Sequence, residues 1–255
     1  MRFATMGSGS KGNATLVDEI DSALLVDCGL SFSRVRSLAG EKNYDLDKLD
    51  GIFVTHEHSD HISGVKNLSK GLKIPVYATS GTIAASGNRF DDVYDLKEIG
   101  PEKSITLGPF EITPVIVPHD AQEPCQFIIS ARFKRLGILT DLGHVTAYVR
   151  KMYETLDAIV IEFNHDLDML AASDYRQVLQ KRISGPYGHL SNDQAEEFLG
   201  GISYQTMSHL VAAHLSEKTN SPSIVLACLD RAVPKTVNTY VATQADSSPW
   251  FVVSD

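Results

Sequence analysis

Short apolar runs punctuate the chain, and many of them close on a single polar residue. RFATMG, ATLV and ALLVD read as three strands separated by a Gly-rich turn and an acidic turn. A helix is expected from about Ser31 to Ala39, and GIFVT follows as a continuous apolar strand. ISGVKNLSKGL carries a helical spacing, and PVYAT is a strand. ITLGPFEITPVIVPH predicts a hairpin turning at Gly108-Pro109, QFIISARF and RLGILTD another strand pair, and AIVIEF one more apolar strand. Helical patterns are expected over Ser173–Arg182 and Ser191–Leu199, and HLVAAHL brings a last strand to a histidine. Hairpins mixed with strand–helix pairs imply two sheets sandwiched between helices. With no linker, low-complexity tract or sequence repeat, a single domain over residues 1–255 is expected.

Asp27, His56, His119, Asp141, Glu162 and His214 each fall at, or just past, the C-terminal end of one of these strands. Adjacent strand ends bring residues distant in sequence to one rim, so these polar positions together point to a site.

Composition adds bounds. The 255 residues suffice for a substantial core, and 43% hydrophobic with 22% charged residues is ordinary for a folded protein. No segment approaches a membrane span, and MRFATMGSGSKGN lacks the apolar core of a secretion signal, so a cytoplasmic protein with no membrane association is expected. Cys28, Cys125 and Cys228 have unrelated spacings and read as buried small side chains in a reducing compartment. The net charge of −9 argues against a broad basic surface for coating nucleic acid, but not against a locally positive site. No obligate protein partner is implied.

The densest chemistry is His56-Glu57-His58-Ser59-Asp60-His61, with three imidazoles and two carboxylates in six residues. An extended backbone lets His56 and His58 converge, and the turn into the next helix carries Asp60 and His61 to the far side. Such a run can serve two metal ions, and imidazole with carboxylate suits zinc, manganese or iron. The HxHxDH pattern after an apolar strand resembles the signature of the metallo-β-lactamase fold superfamily. That resemblance implies an α/β, αβ/βα four-layer sandwich of two mixed β-sheets flanked by helices. It also implies His56, His58 and His119 on one ion, Asp60, His61 and His214 on the other, and Asp141 between them. Asp27 resembles the family's aspartate that orients the metal loop by hydrogen bonding.

Two divalent ions, Zn²⁺ or Mn²⁺, about 3.5–4 Å apart can share a hydroxide and stabilise the entering and leaving oxygens. With Asp60, Asp141 and the hydroxide counted against two dications, the site keeps a formal positive charge, which suits an anionic ester. The glutamate that replaces His58 in flavodiiron oxidases is missing, and the tail after His214 is short for a glyoxalase-type thioesterase. Glu162 in IVIEFNHD and His189 in GPYGHLSND resemble the glutamate and helix-starting histidine of phosphodiesterase branches, in which the histidine serves the phosphate or leaving oxygen and the glutamate orients it. HLSND also reads as a plain helix cap.

GSGSKGN, HEHSDH, TDLGHV, EFNHD and GHLSN, in that order, resemble the YycJ (WalJ) group of nucleases. The resemblance implies a metal-dependent 5′-to-3′ DNA exonuclease with a metal-bridging hydroxide attacking phosphorus and Asp60, Glu162 and His189 as catalytic residues. A small cyclic phosphodiester, or more distantly a thioester or lactone, is the alternative substrate. Ser10, Lys11 and Asn13 in the Gly-rich loop are expected to contact phosphate, although a tight hairpin would use the same glycines. His165 and Ser191 are further substrate-binding candidates, and His144 either supports Asp141 or simply packs. Arg132, Lys134, Arg135, Lys181 and Arg182 are basic positions whose simplest role is solvated surface.

Overall fold

The computed structural model describes residues 1–253. The first sheet is built from β1 (Arg2–Gly7), β2 (Ala14–Glu19), β3 (Ser22–Val26), β4 (Leu49–Phe53), β5 (Val76–Thr79) and β6 (Leu96–Ile99). The second takes β7 (Ile105–Leu107), β8 (Phe110–Ile116), β9 (Cys125–Ala131), β10 (Lys134–Leu139), β11 (Ala158–Glu162), β12 (His209–Ala213) and β13 (Asn238–Val241). A last strand, β14 (Phe251–Val252), returns to the edge of the first sheet beside β1. The strand orders are β14-β1-β2-β3-β4-β5-β6 and β13-β12-β11-β10-β9-β8-β7.

The two sheets share a plan. β1 to β3 form an antiparallel meander and β3 to β6 continue in parallel. Likewise β7 to β10 are antiparallel and β10 to β13 parallel. Parallel neighbours need crossovers, supplied here by helices on the outer faces. In chain order the helices are α1 (Phe32–Glu41), α2 (Ser59–Ile62), α3 (Val65–Leu72), α4 (Ser80–Ala85), α5 (Ala147–Met152), α6 (Leu167–Ala171), α7 (Gln177–Ile183), α8 (Asn192–Leu199) and α9 (Pro222–Ala232).

Burial on both faces explains why the central strands are apolar without alternation. In β3, Leu24 and Val26 face the opposing sheet, while Ala23 and Leu25 pack beneath α1 and α3 with Val35, Leu38 and Leu68. In β11, Ala158 and Val160 face inward, while Ile159 and Ile161 meet Val149, Phe198 and Val225 from α5, α8 and α9. Phe53 ties the layers together: it stacks on Tyr77 at 4.5 Å and meets Phe127 of the second sheet edge-on at 5.7 Å. All three cysteines are buried free thiols, and no helix among the described residues is long and apolar enough to cross a membrane.

The expected strands and hairpins are present, and the helices need correction: the one expected over ISGVKNLSKGL is split between α2 and α3, and the short helices α4, α5 and α6 were not expected. Ser173 to Arg176 lie outside any helix, because α6 ends at Ala171 and α7 begins only at Gln177. Between them Gln180 Nε2 donates to the Leu170 carbonyl at 3.1 Å, which closes the break. The longest unexpected helix is α9, which the apolar pattern did not mark; Ser221 caps it and Pro222 occupies its first turn.

Candidate metal centre

The polar strand ends gather at one rim. Asp27 follows β3, the run from His56 to His61 follows β4, Asp141 follows β10, Glu162 ends β11 and His214 follows β12. Asp27, Asp141 and His214 adopt left-handed backbone angles, with φ of 60°, 54° and 56°. Non-glycine residues rarely accept this conformation, and three of them at one rim mark a site under constraint.

Asp27 organises the metal loop as expected. Its carboxylate accepts from the Thr55 amide, the Thr55 hydroxyl and His61 Nδ1, each at 2.8 Å. Comparable anchors fix the other rings. His119 Nδ1 donates to the Gly188 carbonyl at 3.0 Å, His214 Nδ1 to Glu162 at 2.8 Å, and His56 Nδ1 meets the Thr55 hydroxyl at 2.9 Å. A carbonyl or carboxylate only accepts, so Nδ1 carries a proton and Nε2 is the atom turned inward. Metal-binding histidines are oriented in this way. Burial opposes charge on His61 and His214, but Asp141 and the other carboxylates outweigh it, raising the first pKa and bringing the second up to about 10, so an ion binding there displaces a proton from Nε2.

The inward atoms crowd one another. His58 Nδ1 lies 3.1 Å from His56 Nε2 and 3.2 Å from His119 Nε2. Asp60 Oδ2 is 3.4 Å from both His61 Nε2 and His214 Nε2. Asp141 lies beside them, its Oδ2 3.3 Å from His61 Nε2 and its Oδ1 3.4 Å from His214 Nδ1, and it also clusters with His56 and His61. That Oδ2 is buried without a hydrogen-bond donor. A buried carboxylate oxygen so placed, among converging imidazole nitrogens, is a donor set whose chemistry fits a divalent cation. Burial and the charge on His61 push the His56 pKa well below its usual value, and burial also lowers that of His119, keeping both in the neutral form that ligates. The groups that could hold an ion include His56, His58 and His119, and separately Asp60, His61 and His214.

Glu162 does more than orient one histidine. Its Oε1 receives His189 Nδ1 at 2.9 Å as well as His214 Nδ1, and its Oε2 receives the Leu190 amide at 2.9 Å. Burial opposes this carboxylate's charge, but the charge and hydrogen bond of His189, with that of His214, bring its pKa down to about 2. Burial opposes the charge on His189 too, but Glu162 outweighs it and raises the pKa. The His189 ring stands 5.3 Å from both His119 and His214, which belong to different donor groups.

Several expected substrate contacts have other uses. In the Gly-rich loop the amides of Gly9, Lys11, Gly12 and Asn13 donate to Asn13 Oδ1, Gln244, the Gly9 carbonyl and the Asp60 carbonyl. They form no phosphate cradle. Asn13 is buried, with Nδ2 3.3 Å from Asp60 Oδ2 and 3.2 Å from His61 Nε2, so it braces the loop rather than reaching outward. Lys11 pairs with Glu217 at 2.6 Å; Ser10 is exposed beside it. Ser191 is buried and forms a capping box with Gln194 at the start of α8. His165 is fully buried with neither ring nitrogen hydrogen-bonded, so its ring presents no surface to a substrate, and Asp166 caps α6. His144 does not support Asp141; its Nδ1 donates to the Pro186 carbonyl at 2.8 Å. Of the basic positions Arg182 comes nearest, pairing at 2.5 Å with Asp120, whose Oδ1 is 3.5 Å from His119 Nε2. Arg132, Lys134 and Arg135 lie at the opposite end of β10.

Sequence reading passed over Gly29. Its amide donates to the Asn13 carbonyl, and a Cβ there would fall on the Asp60 carbonyl. Gly29→Ala must therefore move the loop that carries Asp60 and His61. Substitution is expected to lower stability by about 1–3 kcal/mol, as overpacking does, and to reduce metal content; urea unfolding and elemental analysis of the purified variant read both. Unchanged metal content would show that the loop can shift harmlessly.

The Beta-lactamase superfamily domain model matches residues 23–214. Exodeoxyribonuclease YycJ of Bacillus anthracis is 33% identical over 224 residues, covering 86% of this chain and 84% of that protein. Exodeoxyribonuclease WalJ of Streptococcus pneumoniae (strain D39) is 34% identical over 226 residues, covering 86% and 83%. The crystal structure of the metallo-β-lactamase fold protein YhfI from Bacillus subtilis superposes with a TM-score of 0.73 at 18% identity, over 97% of this chain and 98% of that one. The inward-turned histidines and the strand ends that carry them thus belong to a known architecture: the chain is a member of the metallo-β-lactamase superfamily, in the YycJ-type group of metal-dependent hydrolases.

Proposed function

We propose that the protein is a nuclease that degrades DNA from an end, with the 5′-to-3′ polarity implied by its resemblance to the YycJ (WalJ) group. The observation that carries this reading is the Glu162–His189 pair, set between the two donor groups. His56, His58 and His119 would hold one divalent ion and Asp60, His61 and His214 a second, with Asp141 shared. Zinc or manganese bound there supplies Lewis acidity, an activated water and charge to offset the phosphate.

Hydrolysis adds water across a P–O bond, so one oxygen must be oriented for attack and another must leave with a proton. Asp60, steadied by Asn13, orients the attacking water. His189 is tied to Glu162 through Nδ1, which leaves Nε2 for the substrate. From there it donates to a phosphate oxygen or to the departing oxygen, a role worth about 10²–10⁴ in rate. Glu162 is wholly buried and acts through His189 and His214. With a thioester or lactone the attack is at carbon, and no contact to a phosphate is required. Buried free thiols suit a reducing cytoplasm, the compartment we assign to this activity.

The test compares end-labelled DNA, bis-p-nitrophenyl phosphate and a thioester, each with added Mn²⁺ or Zn²⁺. Stepwise shortening of DNA from its 5′ end is expected. Turnover of the thioester alone overturns the proposal, and cleavage of the small diester with DNA left intact moves the substrate to small phosphodiesters.

A further inference from the structure

The loop between α7 and His189 is rigid where it meets the site and bare where it meets solvent. None of the residues of α7 is buried. Its successor, Ser184 to Gly188, is nonetheless pinned by backbone bonds on several sides. The His189 amide donates to the Ile183 carbonyl at 2.8 Å, the Tyr187 carbonyl receives the Asp120 amide at 2.9 Å, and the Gly188 carbonyl holds His119. Gly143 runs so close that a Cβ there would strike Pro186 and Tyr187. On this fixed backbone the Tyr187 side chain is 59% exposed, and its hydroxyl makes no hydrogen bond to the described residues. The other exposed aromatic rings, Tyr94 and Phe133, stand at the opposite ends of the strands, before β6 and before β10.

A single exposed ring is ordinary by itself, but one carried on fixed backbone beside a site offers a face on which a base can stack. Resting on the DNA reading above, the geometry points to Tyr187 as a stacking platform for the nucleobase beside the scissile phosphate. A phosphate lodged between His119 and His189 carries its nucleoside one sugar away. Tyr187 is two residues from His189, and its carbonyl is bonded to the residue after His119, so its side chain departs from backbone that adjoins both histidines. Stacking also fits the task. Every base offers a π face, so the grip is indifferent to sequence, as degradation from an end requires. A chain of net charge −9 cannot rely on broad attraction for the backbone, and a ring contributes affinity without charge.

Steady-state kinetics of the wild type, Tyr187→Phe and Tyr187→Ala on short single-stranded DNA test this, using oligonucleotides with normal or abasic terminal nucleotides. Tyr187→Ala is expected to raise KM on normal DNA about tenfold or more, in line with the loss of one stacked base, with kcat near wild type. Tyr187→Phe should stay close to wild type, because the ring is retained. On abasic DNA the wild type should already bind weakly, and the alanine substitution should add little. An unchanged KM for Tyr187→Ala overturns the platform, as does a phenylalanine variant as poor as alanine, or an equal alanine effect on abasic DNA. A wild type that cleaves bis-p-nitrophenyl phosphate but leaves DNA intact removes the DNA reading and the platform with it. DNA degradation that is indifferent to Tyr187 removes the platform alone.

Discussion

Asp141→Asn is expected to fold, to lose at least one of two bound divalent ions, and to lose nearly all phosphodiesterase turnover. The side chain is buried, with one oxygen near His61 and the other near His214, and Oδ2 has no hydrogen-bond donor to satisfy it. Asparagine tolerates the left-handed backbone at this position, φ 54°, so the change tests charge and ligation rather than strain. Changes even to the partners of metal ligands lower metal affinity about 10–100-fold, and loss of a shared ligand should exceed that. Elemental analysis after gel filtration reads the stoichiometry, and Asp141→Ala provides the more severe comparison. Full retention of both ions in either variant would mean that Asp141 is not the shared carboxylate.

His189→Ala is expected to behave in the opposite way, keeping its metal while turnover falls about 10²–10⁴-fold, the usual contribution of a positioned proton donor. The ring is held by Glu162 and stands beside both donor groups without belonging to either of the histidine-rich ones. Yet Asp141, Glu162, His189 and His214 also converge closely enough to hold an ion by themselves. Metal loss in His189→Ala would therefore reassign it as a ligand. Glu162→Gln should weaken turnover through two rings at once, because His214 and His189 share Glu162 Oε1.

Much of the site was legible in the sequence because strand ends report themselves: a continuous apolar run stops, and a histidine or carboxylate follows. That holds for Asp27, Asp141, Glu162 and His214, and the hexad carried its own chemistry. The bracing contacts were not legible. Asn13 and Gly29 touch the metal loop from far along the chain, and nothing local distinguishes a glycine that clears a turn from one that clears the Asp60 carbonyl. The same ambiguity misdirected the Gly-rich loop toward phosphate, when most of its amides serve the protein itself. His165 was a substrate-binding candidate only through the family motif, and nothing in the residues around it announced that it is fully buried. The helix from Pro222 was readable from Ser221 and Pro222, but its apolar residues gave no marked stripe. The matched plans of the two sheets left no repeat in the residues, since pairing order is set by contacts between distant strands.

Anomalous diffraction from crystals soaked in Mn²⁺ tests the account most directly. It should show two peaks, one enclosed by His56, His58 and His119 and one by Asp60, His61 and His214, with Asp141 touching both. A single peak, or one seated among Glu162, His189 and His214, would contradict it.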